Sequence, residues 1–260
     1  MGLTGFVPNN GVKGFSISVD TQNLETKLSG FELDQLPFAT ALALTRVGQL
    51  IKQAEINEMR KVFDRPTPYT LSAPFLKPAT KSNLTAEVFL KTYASKGVPA
   101  SVFLAPQVYG GQRNLKSSEK FLAKAGYLPS GDIAVPGSGA TMNGYGNMSP
   151  GQIVQVISAL QAFPETGYLA NQSRRLGARK STAPQFFVGK PAGGRLPLGV
   201  YMRTKTGVKP IMIFVKSPNY HPRLKFFDVA SQTYQANFQH EFNAALYTAL
   251  QSASITYKVA

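Results

Sequence analysis

Two long stripes of apolar residues, one near each end of the chain, constrain the fold more than any other feature. From Leu36 onward, small and apolar residues recur three or four positions apart as far as Arg65, and Pro66 then forbids continuation of a helix. Asp34 stands where an N-cap residue is expected. The pattern predicts a helix of about 28 residues, and its many alanines favour close packing against another helix or a sheet.

The second stripe lies near the end of the sequence. Phe238, Phe242, Leu246 and Leu250 are spaced so that they fall on one face of a helix, and Asp228 precedes them as a candidate N-cap. The sequence therefore predicts a long amphipathic helix towards each end of the chain.

The middle of the chain alternates short periodic runs with irregular stretches rich in Gly, Pro, Ser and Asn. Alternating apolar and polar residues predict strands at 15–19, 84–93, 199–203 and 210–216. Short helices are predicted at 115–125 and 152–161, an extended segment at 66–82, and irregular segments at 127–151 and 163–198. Within the last of these, residues 186–188 are expected to belong to a partly buried strand.

Helices at the ends and short strands between them favour an α+β fold. We predict a single domain in which a small sheet lies between the two long helices, with long Gly/Pro-rich and basic loops. The predicted organisation is an N-terminal arm, residues 1–33, followed by this α+β domain, residues 34–260.

The charge is strongly unbalanced along the sequence. The chain has 28 Lys and Arg residues against 13 Asp and Glu, and its formal net charge is +15. Between Thr166 and Phe227 there are twelve basic residues and no acidic one. Such polarity produces a positive field over part of a surface. It indicates contact with DNA, RNA, anionic lipid or an acidic protein face, or else a solvated basic surface without a dedicated partner.

One part of this basic stretch is dense in cations: Arg174, Arg175, Arg179 and Lys180. Charges on a flexible segment are sufficient for contact with phosphate groups. Sequence-specific recognition is not indicated, because no helix-turn-helix, zinc-finger or ribonucleoprotein motif is present. We predict non-specific contact with a nucleic acid or an acidic partner at these residues.

No pattern in the sequence is typical of a catalytic centre. Cys is absent, and His221 and His240 lie in different predicted elements without carboxylates at ligand spacing, which disfavours a metal site. Glu55 and Glu58 could act as a carboxylate pair in acid–base chemistry, but we expect both on the polar face of the first helix, paired with nearby Lys or Arg. We predict a protein that is not an enzyme and needs no cofactor. The sequence has no apolar run long enough to predict a membrane span.

Several blocks of residues resemble a group of tailed-bacteriophage and prophage virion proteins. The most specific block is Phe63-Asp64-Arg65-Pro66-Thr67-Pro68-Tyr69-Thr70, which follows the Ala-rich helix that starts at Leu36-Pro37-Phe38-Ala39. Further similar segments are 77–81, 84–88, 110–116, 146–153, 211–215 and the C-terminal helix. The resemblance covers residues 33 to 253, and the group is distantly similar to the minor tail protein Z of phage lambda.

The resemblance implies a structural protein of the minor-tail or tail-completion kind. It implies a homo-oligomeric ring in contact with other tail or neck proteins. Since a tail or neck ring surrounds the path of the exiting DNA, the run of basic residues leads to the further hypothesis that a basic surface lies near that path. The implied location is the virion, in the tail or the head–tail connector region, after synthesis in the host cytoplasm.

Three further arginines are candidates for contact with such partners: Arg65, Arg113 and Arg195. For Arg65 an equally good interpretation is a surface charge that follows the end of a helix. An alternative function for the whole chain is a non-specific nucleic-acid-binding or virion assembly protein. A steep salt dependence of DNA binding would favour that alternative.

Overall fold

The computed structural model describes residues 2–6, 14–18, 30–95, 97–162 and 185–259. The helices in these ranges are α1 (Gly30–Val62), α2 (Pro68–Leu71), α3 (Ala100–Tyr109), α4 (Ser117–Lys124), α5 (Pro150–Ala159) and α6 (Phe226–Val259). The strands are β1 (Gly2–Phe6), β2 (Gly14–Ser18), β3 (Pro74–Lys77), β4 (Thr85–Leu90), β5 (Asp132–Pro136), β6 (Phe186–Gly189), β7 (Gly199–Thr204) and β8 (Gly207–Lys216). The predicted α+β class is confirmed.

The chain packs into two compact units. Unit 1 comprises Met1–Gly110 and Tyr220–Ala260, and unit 2 comprises Gly111–Asn219. Each unit has its own four-stranded antiparallel sheet and its own cluster of buried apolar side chains. The sequence predicts one α+β domain over residues 34–260, and the described residues of that range fall into these two units, each with its own buried cluster.

Unit 1 is organised around α1. Its sheet has the strand order β1-β2-β4-β3, and α1 packs against β3 and β4. The small residues on α1 permit this close approach: a Cβ added at Gly48 would lie 2.6 Å from Cδ1 of Leu76 in β3. The predicted boundary between arm and domain at residue 33 falls inside α1, and β2, in the predicted arm, pairs with β4.

The second long helix, α6, packs along α1. The two run in opposite directions, as two contacts show. Arg46 at the middle of α1 forms an ion pair of 4.0 Å with Glu241 near the middle of α6. The guanidinium of Arg223, just before the start of α6, lies 5.9 Å from the ring centre of Phe63, just after the end of α1. The stripe predicted for α6 is buried, although the helix begins at Phe226, two residues before the predicted cap.

Unit 2 is a sheet with helices packed on it. Its strand order is β5-β8-β7-β6, with antiparallel pairing throughout. Its buried cluster joins α4 and α5 to the sheet, and the fully buried members include Leu122, Val156, Val200 and Ile211. The helices and strands predicted at 115–125, 152–161, 199–203 and 210–216 are confirmed within a few residues.

Short elements lie within the segments predicted to be extended or irregular. The segment 127–151 contains the strand β5, which is not predicted, and the segment 66–82, predicted to be extended, contains the helical turn α2 and the strand β3. The strand β6 confirms the partly buried strand predicted at residues 186–188. These elements are five residues or shorter, and β5 pairs with β8, which is far away in sequence. Their formation depends on tertiary pairing more than on local periodicity. The helix α3 is not predicted from the sequence, because Pro106 lies in its interior.

Candidate nucleic-acid interface

The excess of positive charge belongs mainly to unit 2. Of the 28 basic and 13 acidic residues of the chain, 14 and 3 respectively lie between residues 111 and 219. Unit 2 therefore has a formal net charge of +11, and the remaining +4 of the total of +15 belongs to unit 1. A field of this sign favours approach of a polyanion to unit 2.

Both described acidic residues of unit 2 are already paired within it. The carboxylate of Glu119 binds the guanidinium of Arg113, and Lys216 Nζ lies 2.7 Å from Oδ1 of Asp132. The second contact is an ion pair by distance, but its angles are outside the range of a hydrogen bond. The third acidic residue, Glu165, lies outside the described residues. Lys116 also lies in the field of Glu119, and the other described cations of unit 2 form no ion pair with an acid in the described part of that unit.

Arg113 is part of a buried hydrogen-bond network. Its Nη1 and Nη2 donate to the two oxygens of Glu119 at 2.7 and 2.5 Å, and Glu119 is 1% exposed. The same carboxylate accepts from the backbone N–H groups of Lys116 and Ala134, so it joins the start of α4 to β5. Burial alone would raise the pKa of Glu119, but these hydrogen bonds hold it below its usual range. The network gives Arg113 a structural role, and its contact with a partner remains a prediction.

Arg65 lies in unit 1, directly after α1. Its backbone has φ 46°, in the left-handed region, and its side chain donates to Asp64 from Nε at 3.1 Å and from Nη2 at 2.9 Å. The hydrogen bond from Arg65 lowers the pKa of Asp64. Both side chains are exposed, so Arg65 is accessible, and its predicted contact with a partner is neither required nor contradicted by this geometry.

Among the remaining predicted contact residues, Arg195 is exposed in the segment between β6 and β7. Arg174, Arg175, Arg179 and Lys180 lie outside the described residues. The structure consequently does not bring the predicted set together at one described surface.

One group of exposed, described cations lies in the hairpin formed by β7 and β8. Arg203 pairs with Val208 and Thr204 with Gly207, with Lys205 in the turn and Lys209 opposite Met202. Arg203, Lys205 and Lys209 are exposed. The guanidinium of Arg203 lies 5.0 Å from the ring centre of Phe187 in β6. Because the sequence predicts strands at 199–203 and 210–216, the short polar run between them indicates this basic turn.

The end of the hairpin extends past its neighbours in the sheet. β5 pairs with β8 only from residue 212 onward, and β6 pairs with β7 only up to residue 202. The outermost backbone bonds to the hairpin are Gly139 N–H to the Pro210 carbonyl and Arg203 N–H to the Gln185 carbonyl. Within the described part of the sheet, residues 204–209 therefore pair only with residues of the same hairpin.

The prediction that Glu55 lies on the polar face of α1 is wrong. Its side chain is fully buried, on the same stripe as Ile51 and Met59. Among the described residues neither carboxylate oxygen has a hydrogen-bond partner. Burial, and secondarily the charge of Glu58, raises the pKa of Glu55 to about 9. Glu58 does pair locally, with Lys61 at 3.9 Å.

A cavity of about 250 Å³ in unit 2 offers little chemistry. The titratable groups among its lining residues are Lys116 and Glu119, and the Glu119 carboxylate is already engaged by Arg113. In the described part of the chain, no three His, Cys, Asp or Glu side chains come together as a set able to hold a metal ion.

Within the residues that the structure describes, no helix combines the length and the apolar character needed to cross a membrane. No family model matches the chain, and neither the curated proteins nor the solved structures contain a significant match to it.

Proposed function

We propose that this chain is a structural component of a tailed-phage particle that completes or joins the tail, with unit 2 directed towards DNA. The observation that supports it best is the concentration of charge: unit 2 carries +11, and both of its described acids are engaged by Arg113 and Lys216. A ring around the path of exiting DNA would use such a surface without any catalytic group.

The block that resembles the virion proteins, Phe63 to Thr70, supports the structural part of this proposal. It forms an ordered corner after α1: Thr67 Oγ1 accepts from the backbone N–H of Thr70 at 3.1 Å and caps α2. The hydroxyl of Tyr69 donates to the carbonyl of Val98 at 3.0 Å, yet the ring is 45% exposed. A rigid corner with an accessible aromatic ring suits contact with a neighbouring tail or neck subunit.

Immunogold electron microscopy of purified particles tests the proposal. With an antibody to this chain, we expect label at the head–tail junction or on the tail. Matched particles from a phage that lacks the gene provide the control for non-specific labelling. Antigen confined to infected-cell lysate, with unlabelled particles, would contradict a virion role.

The second candidate is a non-specific nucleic-acid-binding or assembly protein that does not remain in the particle. The same charge distribution favours it, because phosphate contacts need only accessible cations. It predicts DNA binding by the free protein together with absence from the mature particle, whereas the first proposal predicts presence in the particle.

A further inference from the structure

The end of the β7–β8 hairpin projects beyond the two strands that flank it in the sheet of unit 2. Residues 203–209, Arg-Thr-Lys-Thr-Gly-Val-Lys, form a two-stranded ribbon that continues about three residues beyond β5 and β6, or roughly 10 Å. Within the described sheet, residues 204–209 pair only with residues of the same hairpin, including Val208 with Arg203 and Lys209 with Met202. The end of the hairpin is therefore two strands wide, and the side chains of Arg203, Lys205 and Lys209 are exposed.

The ribbon carries positive charge on each face and at its tip. Arg203 and Lys209 lie on opposite faces, because Arg203 pairs with Val208 and Lys209 with Met202, and Lys205 lies in the turn. The ribbon contains no acidic residue. Asp132 pairs in register with Lys216, seven residues past the end of the ribbon and roughly 24 Å away along an extended strand.

We propose that this ribbon contacts the phosphate backbone of double-stranded DNA by entering a groove. The major groove of B-form DNA is about 12 Å wide and admits a two-stranded β-ribbon. Lys205 at the tip and Lys209 on one face then meet phosphates of the groove, Arg203 adds positive charge on the opposite face, and the exposed Thr206 hydroxyl adds a neutral hydrogen-bonding group. The inference rests on the DNA-facing role proposed above and names the segment that carries it out.

The composition of the ribbon indicates contact without base recognition. Asn and Gln, which bind adenine edges in pairs of hydrogen bonds, are absent from residues 203–209. Arg203, the side chain most suited to guanine, is held over the ring of Phe187. Lys205 and Lys209 are therefore expected to supply most of the affinity, through release of counterions from the DNA.

The test compares two matched pairs of substitutions in the full chain. K205Q/K209Q removes two charges from the ribbon, and K120Q/K124Q removes two from exposed positions one turn apart on α4 of the same unit. Binding of a fluorescently labelled 30-base-pair duplex is measured by anisotropy between 50 and 300 mM NaCl. Circular dichroism of each variant confirms that it is folded.

For the ribbon pair we expect the slope of log affinity against log salt concentration to fall by about 1.8, with about 60-fold weaker binding at 0.1 M salt. The α4 pair should weaken binding less than 3-fold. Equal loss in both pairs, or unchanged binding by K205Q/K209Q, would overturn the assignment of the ribbon. An unsubstituted protein that does not bind DNA would overturn the inference together with the DNA-facing role. Immunogold labelling tests separately whether the protein is present in the particle, so failure of the virion role can be distinguished from failure of DNA contact by the ribbon.

Discussion

Substitution of Glu55 by Gln should abolish a large pH dependence of the stability of unit 1. In the folded chain the Glu55 carboxyl is fully buried on the apolar stripe of α1, and its pKa is raised from 4.5 to about 9. In the unfolded chain the group is exposed to water and its pKa returns to the ordinary value. Between these two values the folded state holds a proton that the unfolded state has lost.

The sign and the size of the effect follow from this difference. The contribution of Glu55 is fully present below about pH 4.5 and is lost progressively as the pH rises to about 9, because unfolding then releases a proton. Each pH unit in this window lowers the free energy of unfolding by about 1.4 kcal/mol. Between pH 5 and pH 8 the loss amounts to about 4 kcal/mol, a large fraction of the stability of an ordinary domain.

The assay is urea unfolding at a series of pH values. The chain has no Trp, so the helical signal in far-ultraviolet circular dichroism is the suitable probe, and it reports mainly on α1 and α6. The control is Glu87→Gln, which removes a carboxylate paired with Lys77 on the surface of β4. At each pH, the free energy of unfolding of a variant is subtracted from that of the original chain. The difference gives the contribution of the carboxyl group that the variant lacks.

We expect the free energy of unfolding of the original chain to fall with pH relative to that of Glu55→Gln, and to stay parallel to that of Glu87→Gln. Parallel lines for the original chain and Glu55→Gln from pH 5 to pH 8 would refute the conclusion that Glu55 is buried and neutral. They would mean that the carboxylate reaches water or a cation in solution.

Two predictions concern unit 2. Glu119→Gln should cost about 3 kcal/mol of stability, measured by thermal or urea unfolding, because the half-buried guanidinium of Arg113 loses its carboxylate partner. A cost below about 1 kcal/mol would contradict a structural role for the pair. Gly199→Ala should cost about 1–3 kcal/mol, since a Cβ there would overlap the carbonyl oxygen of Met212. Its control is Gly189→Ala on the facing strand, where a Cβ would meet only ring carbons of Phe187 at 3.9 Å, and equal costs for the two variants would show that the crowding is relieved.

The sequence predicts those elements whose periodicity is long. The stripes of α1 and α6 repeat over many turns, so a few misplaced residues do not hide them. The strand β5 shows the opposite case: Asp132–Pro136 is five residues long, stands among Gly and Pro, and gains its hydrogen bonds from β8 some 80 positions later. A pairing of that kind is decided by the tertiary fold and leaves almost no local signal.

The burial of Glu55 and the basic hairpin of unit 2 differ in how far the sequence predicts them. Glu55 lies four residues from both Ile51 and Met59, so helical spacing alone places it on the apolar stripe of α1. The projection of the ribbon at 203–209 beyond the sheet depends instead on how far β5 and β6 extend alongside β7 and β8. Strand length and register relative to distant partners cannot be obtained from composition, so the accessibility of Lys205 and Lys209 required the structure.

The division into two units bears on why the charge is distributed so unevenly. A formal charge of +11 within 109 residues opposes compaction through self-repulsion, and the two described acids of unit 2 are already paired. Unit 2 has its own buried cluster, so the repulsion among its charges acts mainly on the stability of that unit. The buried contact between α1 and α6 belongs to unit 1. A polyanion or acidic neighbour that binds the folded unit removes part of the repulsion and stabilises that unit by mass action. The charge that weakens the isolated unit would thus favour a complex with such a partner.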